Sequence, residues 1–190
     1  QKDEAHEEEG PTFFRNDATE YGAIFDLSKQ TFSQKVAINF VQEAISIVGA
    51  ESFMNPSESD EMTIGYYLNK NLDLFDVDFG IRHDRINRKG SVTHRDDHDH
   101  AEIDYFDQDI KNNSYALNLS RDITESLSAS FSFSRVERAP SSTELFMNGP
   151  HLATGRYEVG DSTLDSERSN NIDLSFNFQK NGVFGKWTFF

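Results

Sequence analysis

The stretch Leu127–Phe178 decides how this chain folds; it reads LSASFSFSRVERAPSSTELFMNGPHLATGRYEVGDSTLDSERSNNIDLSFNF. Apolar and polar positions alternate strictly at both of its ends. At the first end the apolar positions are Leu127, Ala129, Phe131 and Phe133, with serine between them. At the second end they are Ile172, Leu174, Phe176 and Phe178, separated by Asp173, Ser175 and Asn177. A period of two residues places each set on one face of a strand, so this stretch predicts two strands with one apolar face each.

This alternation has two structural interpretations. A soluble β-sandwich buries its apolar faces, whereas an outer-membrane β-barrel turns them to lipid and keeps polar groups in a wet lumen. No run in the sequence approaches the ~20 apolar residues of a membrane helix. That is no argument against a barrel, because only alternate residues of a barrel strand need be apolar. Alternation by itself leaves both interpretations open.

The same pattern recurs along the chain and predicts eight strands. We expect them at about residues 19–27, 35–48, 62–68, 72–86, 114–120, 126–137, 168–179 and 183–190. Long connections at 1–18, 49–60, 87–106 and 139–166 alternate with short ones near 28–33, 69–71, 121–125 and 180–182. Outer-membrane barrels have long extracellular loops and short periplasmic turns. The pattern therefore favours an all-β fold: an antiparallel up-and-down transmembrane β-barrel wall of about eight strands.

The segment between the two strands of the opening stretch resembles the TonB-dependent outer-membrane receptors. The resemblance is carried by SRVERAPSSTELF, NGPH, YEVG and ERSNNIDL, and is sharp from Ser134 to Leu174. The residues in the family's order and spacing are Arg138, Pro140, Glu144, Leu145, Gly149, His151, Ala153, Thr154, Glu158, Gly160, Leu164, Glu167 and Asn171. The resemblance implies that residues 1–190 are an arc of a larger barrel domain, and the family's plug domain and TonB box have no counterpart here.

The resemblance also implies a location and partners. These are the bacterial outer membrane, its lipid around the barrel, and the TonB energising complex acting through the missing plug. His-rich acidic loops accompany the motif, so the chain looks most like the zinc-uptake branch of the family, with zinc as the transported ligand.

Composition excludes several other functions. The formal net charge of −15 would repel nucleic acid phosphates and suits cations. The absence of cysteine excludes disulfides and thiolate metal sites. The sequence holds no Gly-x-Ser-x-Gly elbow, phosphate loop or His-Glu-x-x-His motif, so we expect no enzyme.

The segment Thr93–Asp104, THRDDHDHAEID, is the main candidate for metal binding. Imidazole and carboxylate suit zinc without thiolate. Its candidate ligands are His94, Asp97, His98, Asp99 and His100. Calcium is the rival ion because carboxylates supply oxygen ligands, but the histidines favour zinc. Ordering a flexible loop costs entropy, so we expect it to recruit ions weakly.

Three further histidines lie elsewhere. The resemblance to zinc receptors implies that His151, in NGPH, is a ligand of a tighter site, although a hydrogen-bonded His that fixes loop shape fits as well. His6 with Glu8, in the acidic first loop, is another candidate pair. His83 follows Arg82 within a strand and is predicted to be a wall residue.

The sequence therefore predicts an outer-membrane receptor that takes up zinc. Two alternatives stay open: a haem or siderophore receptor of the same family, and a soluble calcium-binding surface β-protein.

Overall fold

The computed structural model describes residues 11–49, 52–95, 100–151 and 155–190. Eight strands form one antiparallel sheet in the order β1-β2-β3-β4-β5-β6-β9-β10. Their bounds are β1 Phe13–Asp26, β2 Phe32–Val48, β3 Ser57–Leu72, β4 Phe75–Arg95, β5 Ala101–Thr124, β6 Leu127–Arg138, β9 Glu167–Lys180 and β10 Val183–Phe189. Between β6 and β9 lie α1 Ser142–Phe146 and a hairpin of β7 Asn148–His151 and β8 Arg156–Val159. The predicted all-β, up-and-down wall of eight strands is confirmed.

The strand register separates the sheet into two chemically distinct faces, because residues paired across antiparallel strands lie on the same face. Phe131 pairs with Leu119 and with Leu174. The neighbouring Ser132 pairs with Asn118 and Asp173 on the other side. We call the Phe131 side the apolar face and the Ser132 side the polar face. From β1 to β10 the apolar face carries Tyr21, Phe25, Ile38, Phe40, Ile64, Tyr66, Phe79, Ile81, Leu117, Phe133, Phe176 and Trp187.

At the end of the sheet where the long connections were predicted, the strands are longer than expected. The prediction of a long connection at 87–106 is wrong for most of that range. Strand pairing continues from Ile86↔Ile110 to Arg95↔Ala101, so that residues 96–100 alone separate β4 from β5. Likewise β1 begins at Phe13 and β3 at Ser57, inside predicted loops. Hydrophobic alternation detects a strand only where one face is apolar, whereas the backbone ladder continues through polar residues. The contrast in connection lengths is therefore weaker than the sequence indicated.

The short turns follow the sequence in part. The turn predicted at 121–125 is wrong in its position, because β5 runs on to Thr124 and the turn falls at residues 125–126. Asn181 and Gly182 have φ of 49° and 81°, as the Asn-Gly hairpin signal predicts. The turn predicted at 69–71 is wrong, because β3 runs on to Leu72 and the turn falls at residues 73–74. No helix among the described residues is long and apolar enough to span a membrane.

Candidate functional site: the capping loop and its cavity

The capping loop, here defined as residues 139–151 and 155–166, folds over one end of the polar face. Leu145 and Phe146 of α1 are 0% and 1% exposed. They form an apolar cluster with Met54 and with Ile47 and Val92. By register, Ile47 and Val92 belong to the otherwise polar face. The end of that face is thus apolar where the capping loop covers it, which fixes the loop on the polar side of the wall.

An ion-pair network fixes the start of the capping loop. The Arg138 guanidinium donates two hydrogen bonds of 2.9 Å to the Glu144 carboxylate and one of 3.0 Å to Glu167. Glu144 also accepts from the Ser141 backbone N–H at 2.7 Å, while the Ser141 hydroxyl accepts from Glu144 N–H, so the helix starts with a capping box. The Arg138 hydrogen bonds, followed by those of Ser141, lower the pKa of Glu144 to about 2.

Close backbone approaches explain three glycines of this region. A Cβ on Gly149 would lie 2.5 Å from Phe53 Cα, and one on Gly160 would lie 2.7 Å from the Glu144 carbonyl oxygen. A Cβ on Gly90 would overlap the Phe146 ring. A side chain at Gly90 would displace Phe146 from the wall, one at Gly149 would press on residues 52–53 between β2 and β3, and one at Gly160 would press on α1 within the loop itself.

A buried amide joins the two ends of the loop. Asn112 on β5 is 1% exposed. It bridges Ser166 Oγ at 2.6 Å and the Ala139 backbone N–H at 2.9 Å. The loop is therefore attached to the strand wall at both ends as well as through its apolar cluster.

A cavity of ≈ 690 Å³ lies between the capping loop and the end of β4. Its polar lining includes Asn55, Ser91, Thr93, His94, Asn148 and Tyr157, and its apolar lining Met54, Val92, Phe146 and Pro150. The Asn55 amide donates to Ser91 Oγ at 3.1 Å and to Thr93 Oγ1 at 2.9 Å. The Tyr157 hydroxyl donates to the Asn148 side chain at 3.2 Å. The arrangement offers a ligand both apolar contact and hydrogen-bonding groups.

Comparison with known proteins assigns the wall and the capping loop to one family. Residues 8–190 match the family described as "TonB dependent receptor-like, beta-barrel". The chain belongs to this TonB-dependent receptor family. The family consists of outer-membrane receptors of Gram-negative bacteria, which are transporters rather than enzymes.

A solved hemophore receptor has a similar fold. It is a double mutant of the Serratia marcescens hemophore receptor HasR in complex with its hemophore HasA and heme. The similarity has a TM-score of 0.65 at 16% identity. It covers 90% of this chain but 31% of HasR, so the chain spans about a third of that receptor's length. The soluble β-sandwich alternative is therefore wrong, because the eight strands form one sheet of a receptor wall. The zinc-uptake branch has no support from these matches.

Two of the predicted metal ligands lie among the described side chains, His94 and His100. His94 Nε2 lies 3.4 Å from Asp104 Oδ2, across the paired ends of β4 and β5, and His94 also lines the cavity. His100 is exposed and directly precedes β5. Among the described residues, no group of three or more His, Cys, Asp or Glu is arranged to hold a metal ion.

The other predicted ligands fall outside the part that the structure describes. They are His6, Glu8, Asp97, His98 and Asp99, together with the side chain of His151, whose backbone pairs with Arg156 in the β7–β8 hairpin. His83 is a wall residue as predicted: it lies on the apolar face, and its ring Nδ1 is 2.9 Å from the Asn113 side-chain oxygen.

Sequence reasoning missed several residues that build the site. Tyr157 and Asn148 lie inside motifs that carried the family resemblance, so a signal was present. Asn55 and Asn112 are single polar residues without any pattern around them, and only the fold brings them to the capping loop.

Proposed function

We propose that this chain is part of the wall of a TonB-dependent receptor that imports zinc across the outer membrane. In this proposal the polar face lines the lumen, and the capping loop and the β4–β5 tip form the outward end. The observation that carries it is the His94–Asp104 pair at 3.4 Å: both residues belong to the predicted zinc-recruiting segment Thr93–Asp104, and His94 lines the cavity.

The chemistry of this pair suits a transition-metal cation. A carboxylate beside an imidazole orients the ring and raises its basicity as a ligand. Zinc binds neutral imidazole, so capture should weaken in acidic solution, where protons compete with the metal for the ring nitrogen. The acidic chain, with a net charge of −15, adds a general attraction for cations.

Zinc calorimetry on the complete receptor tests the proposal. His94→Ala should weaken zinc binding about tenfold or more, and Asp104→Asn should reduce it in the same direction. His83→Ala is the matched control, since it removes a histidine from the apolar face of the same strand. Equal isotherms for wild type and His94→Ala would contradict the role of this pair. Displacement of zinc by equimolar calcium would favour an oxygen-ligand site instead.

Haem is a second candidate because His94 and Tyr157 line the same cavity as the Phe146 ring. Histidine and tyrosine are both axial ligands of haem iron, and an apolar wall suits the porphyrin. The similar HasR structure contains heme. Absorbance titration of the complete receptor with haem distinguishes the candidates. Tyr157→Phe and His94→Ala should alter the haem spectrum while His83→Ala leaves it unchanged, and identical spectra in all variants would exclude this cavity.

A further inference from the structure

The hairpin of β4 and β5 extends beyond the neighbouring strands, and its own chain covers the end of β4. β3 pairs with β4 no further than Lys89. Beyond that point the Asn55 amide donates to Ser91 Oγ at 3.1 Å and to Thr93 Oγ1 at 2.9 Å. The Asn148 amide donates to the Thr93 carbonyl oxygen at 2.7 Å. Side chains from the connection between β2 and β3 and from β7 therefore occupy hydrogen-bonding groups at the end of β4.

The other edge of the hairpin, on β5, lacks such cover over residues 101–107, here called the bare edge. β6 accompanies β5 only as far as Tyr115. The capping loop lies beside the next part of β5, where the Gln108 side chain donates to the Ser162 carbonyl oxygen. Within the described chain, the bare edge pairs with β4 alone. A notch of ≈ 740 Å³ between β5 and residues 163–166 adjoins it, so there is open space for a further strand.

The bare edge has the length and the side-chain pattern of a pairing surface. It spans about 20 Å, which is the length of an ordinary strand. Ile103 and Tyr105, which are 46% and 81% exposed, lie on the side of the apolar face. Glu102 and Asp104 lie on the side of the polar face and are exposed as well. Roughly half of the backbone N–H and C=O groups in this segment point away from β4, because these groups alternate between the two edges of a strand.

Charge determines which partner this edge accepts. Its charged side chains are all acidic: Glu102, Asp104 and Asp107. A second copy of the same edge would place carboxylates opposite carboxylates, and like charges destabilise a cross-strand pair. A basic strand would instead place lysine or arginine beside these acids, and its intervening apolar side chains would cover Ile103 and Tyr105.

We propose that the bare edge binds a protein partner outside the cell by strand addition. In this complex an extended basic segment of the partner pairs with residues 101–107, with lysine or arginine beside Glu102 and Asp104 and apolar side chains beside Ile103 and Tyr105. Main-chain hydrogen bonds supply the affinity of such a complex, and the alternate side chains supply its specificity. The inference goes beyond the proposed metal uptake and shares with it the outward position of the β4–β5 tip and the Asp104 carboxylate.

Peptide binding to the complete receptor in lipid nanodiscs tests this proposal. The probe is a heptapeptide in which lysine or arginine alternates with valine. Its control is the same peptide N-methylated at every residue, which keeps the charge but has no N–H to donate to a strand edge. The probe should bind about tenfold more tightly than its control and should slow hydrogen exchange of residues 101–107, while exchange in β9 stays unchanged.

Two results of this experiment would overturn the proposal. One is equal binding of the probe and the N-methylated peptide, and the other is binding of the probe without slower exchange in residues 101–107. The measurement is made without zinc, so its outcome and that of the zinc titrations are independent.

Charge reversal gives a second test. Glu102→Lys should weaken binding of the probe about three- to fivefold, because the basic strand would then meet a like charge. Asp122→Lys is the matched control, since it makes the same change of charge near the opposite end of β5 and should leave the affinity unchanged. Equal losses in the two variants would mean that net charge alone attracts the peptide, and would overturn the proposal. Slower exchange of residues 101–107 at higher receptor concentration, without peptide, would indicate a second copy as the partner and would overturn it as well.

Discussion

Glu144 shows how single residues hold the capping loop. Its carboxylate accepts hydrogen bonds both from Arg138, at the end of β6, and from the Ser141 backbone N–H, at the start of α1. One side chain therefore joins the strand to the helix. The neighbouring glycines act by their lack of a side chain: the loop comes so close to the wall that Gly90 leaves room for the Phe146 ring. The measured contacts of the motif residues Arg138, Glu144, Gly149 and Gly160 therefore explain how they hold the capping loop in place.

The carboxylate of Glu144 predicts a pH dependence of the capping loop. The pKa in the folded protein is about 2, against an ordinary value of 4.5. Since folding depresses this pKa, the stabilisation is fully present above 4.5 and is lost as the pH falls toward about 2. The Glu144 side chain is 41% exposed, so solvent screening keeps the effect modest. Hydrogen exchange of α1 amides should therefore be faster in Glu144→Gln than in wild type at pH 6, with the two converging near pH 2.

Asp165→Asn is the control for that measurement, because it removes one exposed carboxylate from the same loop without touching Arg138. If Asp165→Asn accelerated exchange of the α1 amides as much as Glu144→Gln, the total negative charge of the loop, rather than the Glu144–Arg138 pair, would determine how firmly the loop is held.

At the scale of the elements, the strands combine a short apolar band with long polar extensions. On β6, the apolar positions from Leu127 to Phe133 give way to Arg135 and Glu137 on the same face. The extensions carry cross-strand pairs such as Arg85 with Asp109 at 2.9 Å and Arg168 with Glu137 at 2.8 Å. A wall that continues past the membrane into water would have this division.

The two faces predict opposite tolerance to charge at neighbouring positions of β6. Phe131→Arg should lower the free energy of unfolding by ~2–4 kcal/mol if it lies near mid-membrane, because arginine would face lipid. Ser132→Arg should be mild, since its partners Asn118 and Asp173 are polar. Denaturant unfolding of the complete receptor in lipid vesicles measures both. A greater loss in Ser132→Arg than in Phe131→Arg would mean that the faces are assigned the wrong way round.

At the scale of the whole molecule, the described sheet is an open arc. β1 and β10 each have only one neighbour, so each presents an unpaired edge. The 14 residues of β1 are all exposed, including Phe14 and Ile24. Free edges with exposed apolar side chains pair readily with other chains.

The open edges predict how the isolated chain behaves. Residues 1–190 alone should aggregate in aqueous buffer or require detergent, because both edges and the apolar face lack partners. Size-exclusion chromatography with light scattering, with and without detergent, measures this. A monomeric and cooperatively folded sample without detergent would contradict it.

Much of the wall could be predicted from the sequence because its signal is local. Alternation over a few residues marked all eight strands, and Asn181-Gly182 marked its turn, since these features depend only on side-chain spacing and backbone preference. The up-and-down arrangement was predicted from the alternation of long and short connections, and it holds even where β6 pairs with β9 across the capping loop. The extensions of β4 and β5 escaped because most of their residues are polar and their few apolar residues, such as Val92 and Phe106, do not alternate over a full strand. Hydrogen bonding between backbones leaves no trace in composition.

What the tertiary structure decided is where the capping loop lies and what it encloses. The sequence by itself determined the two-faced strands, the family motif and the collection of histidines and acids. It did not determine that Phe146 lies over Gly90, that Asn112 joins residues 139 and 166, or that His94 meets both Asp104 and the cavity. Those contacts join residues far apart in the chain, and they form only when the register has brought the strands side by side.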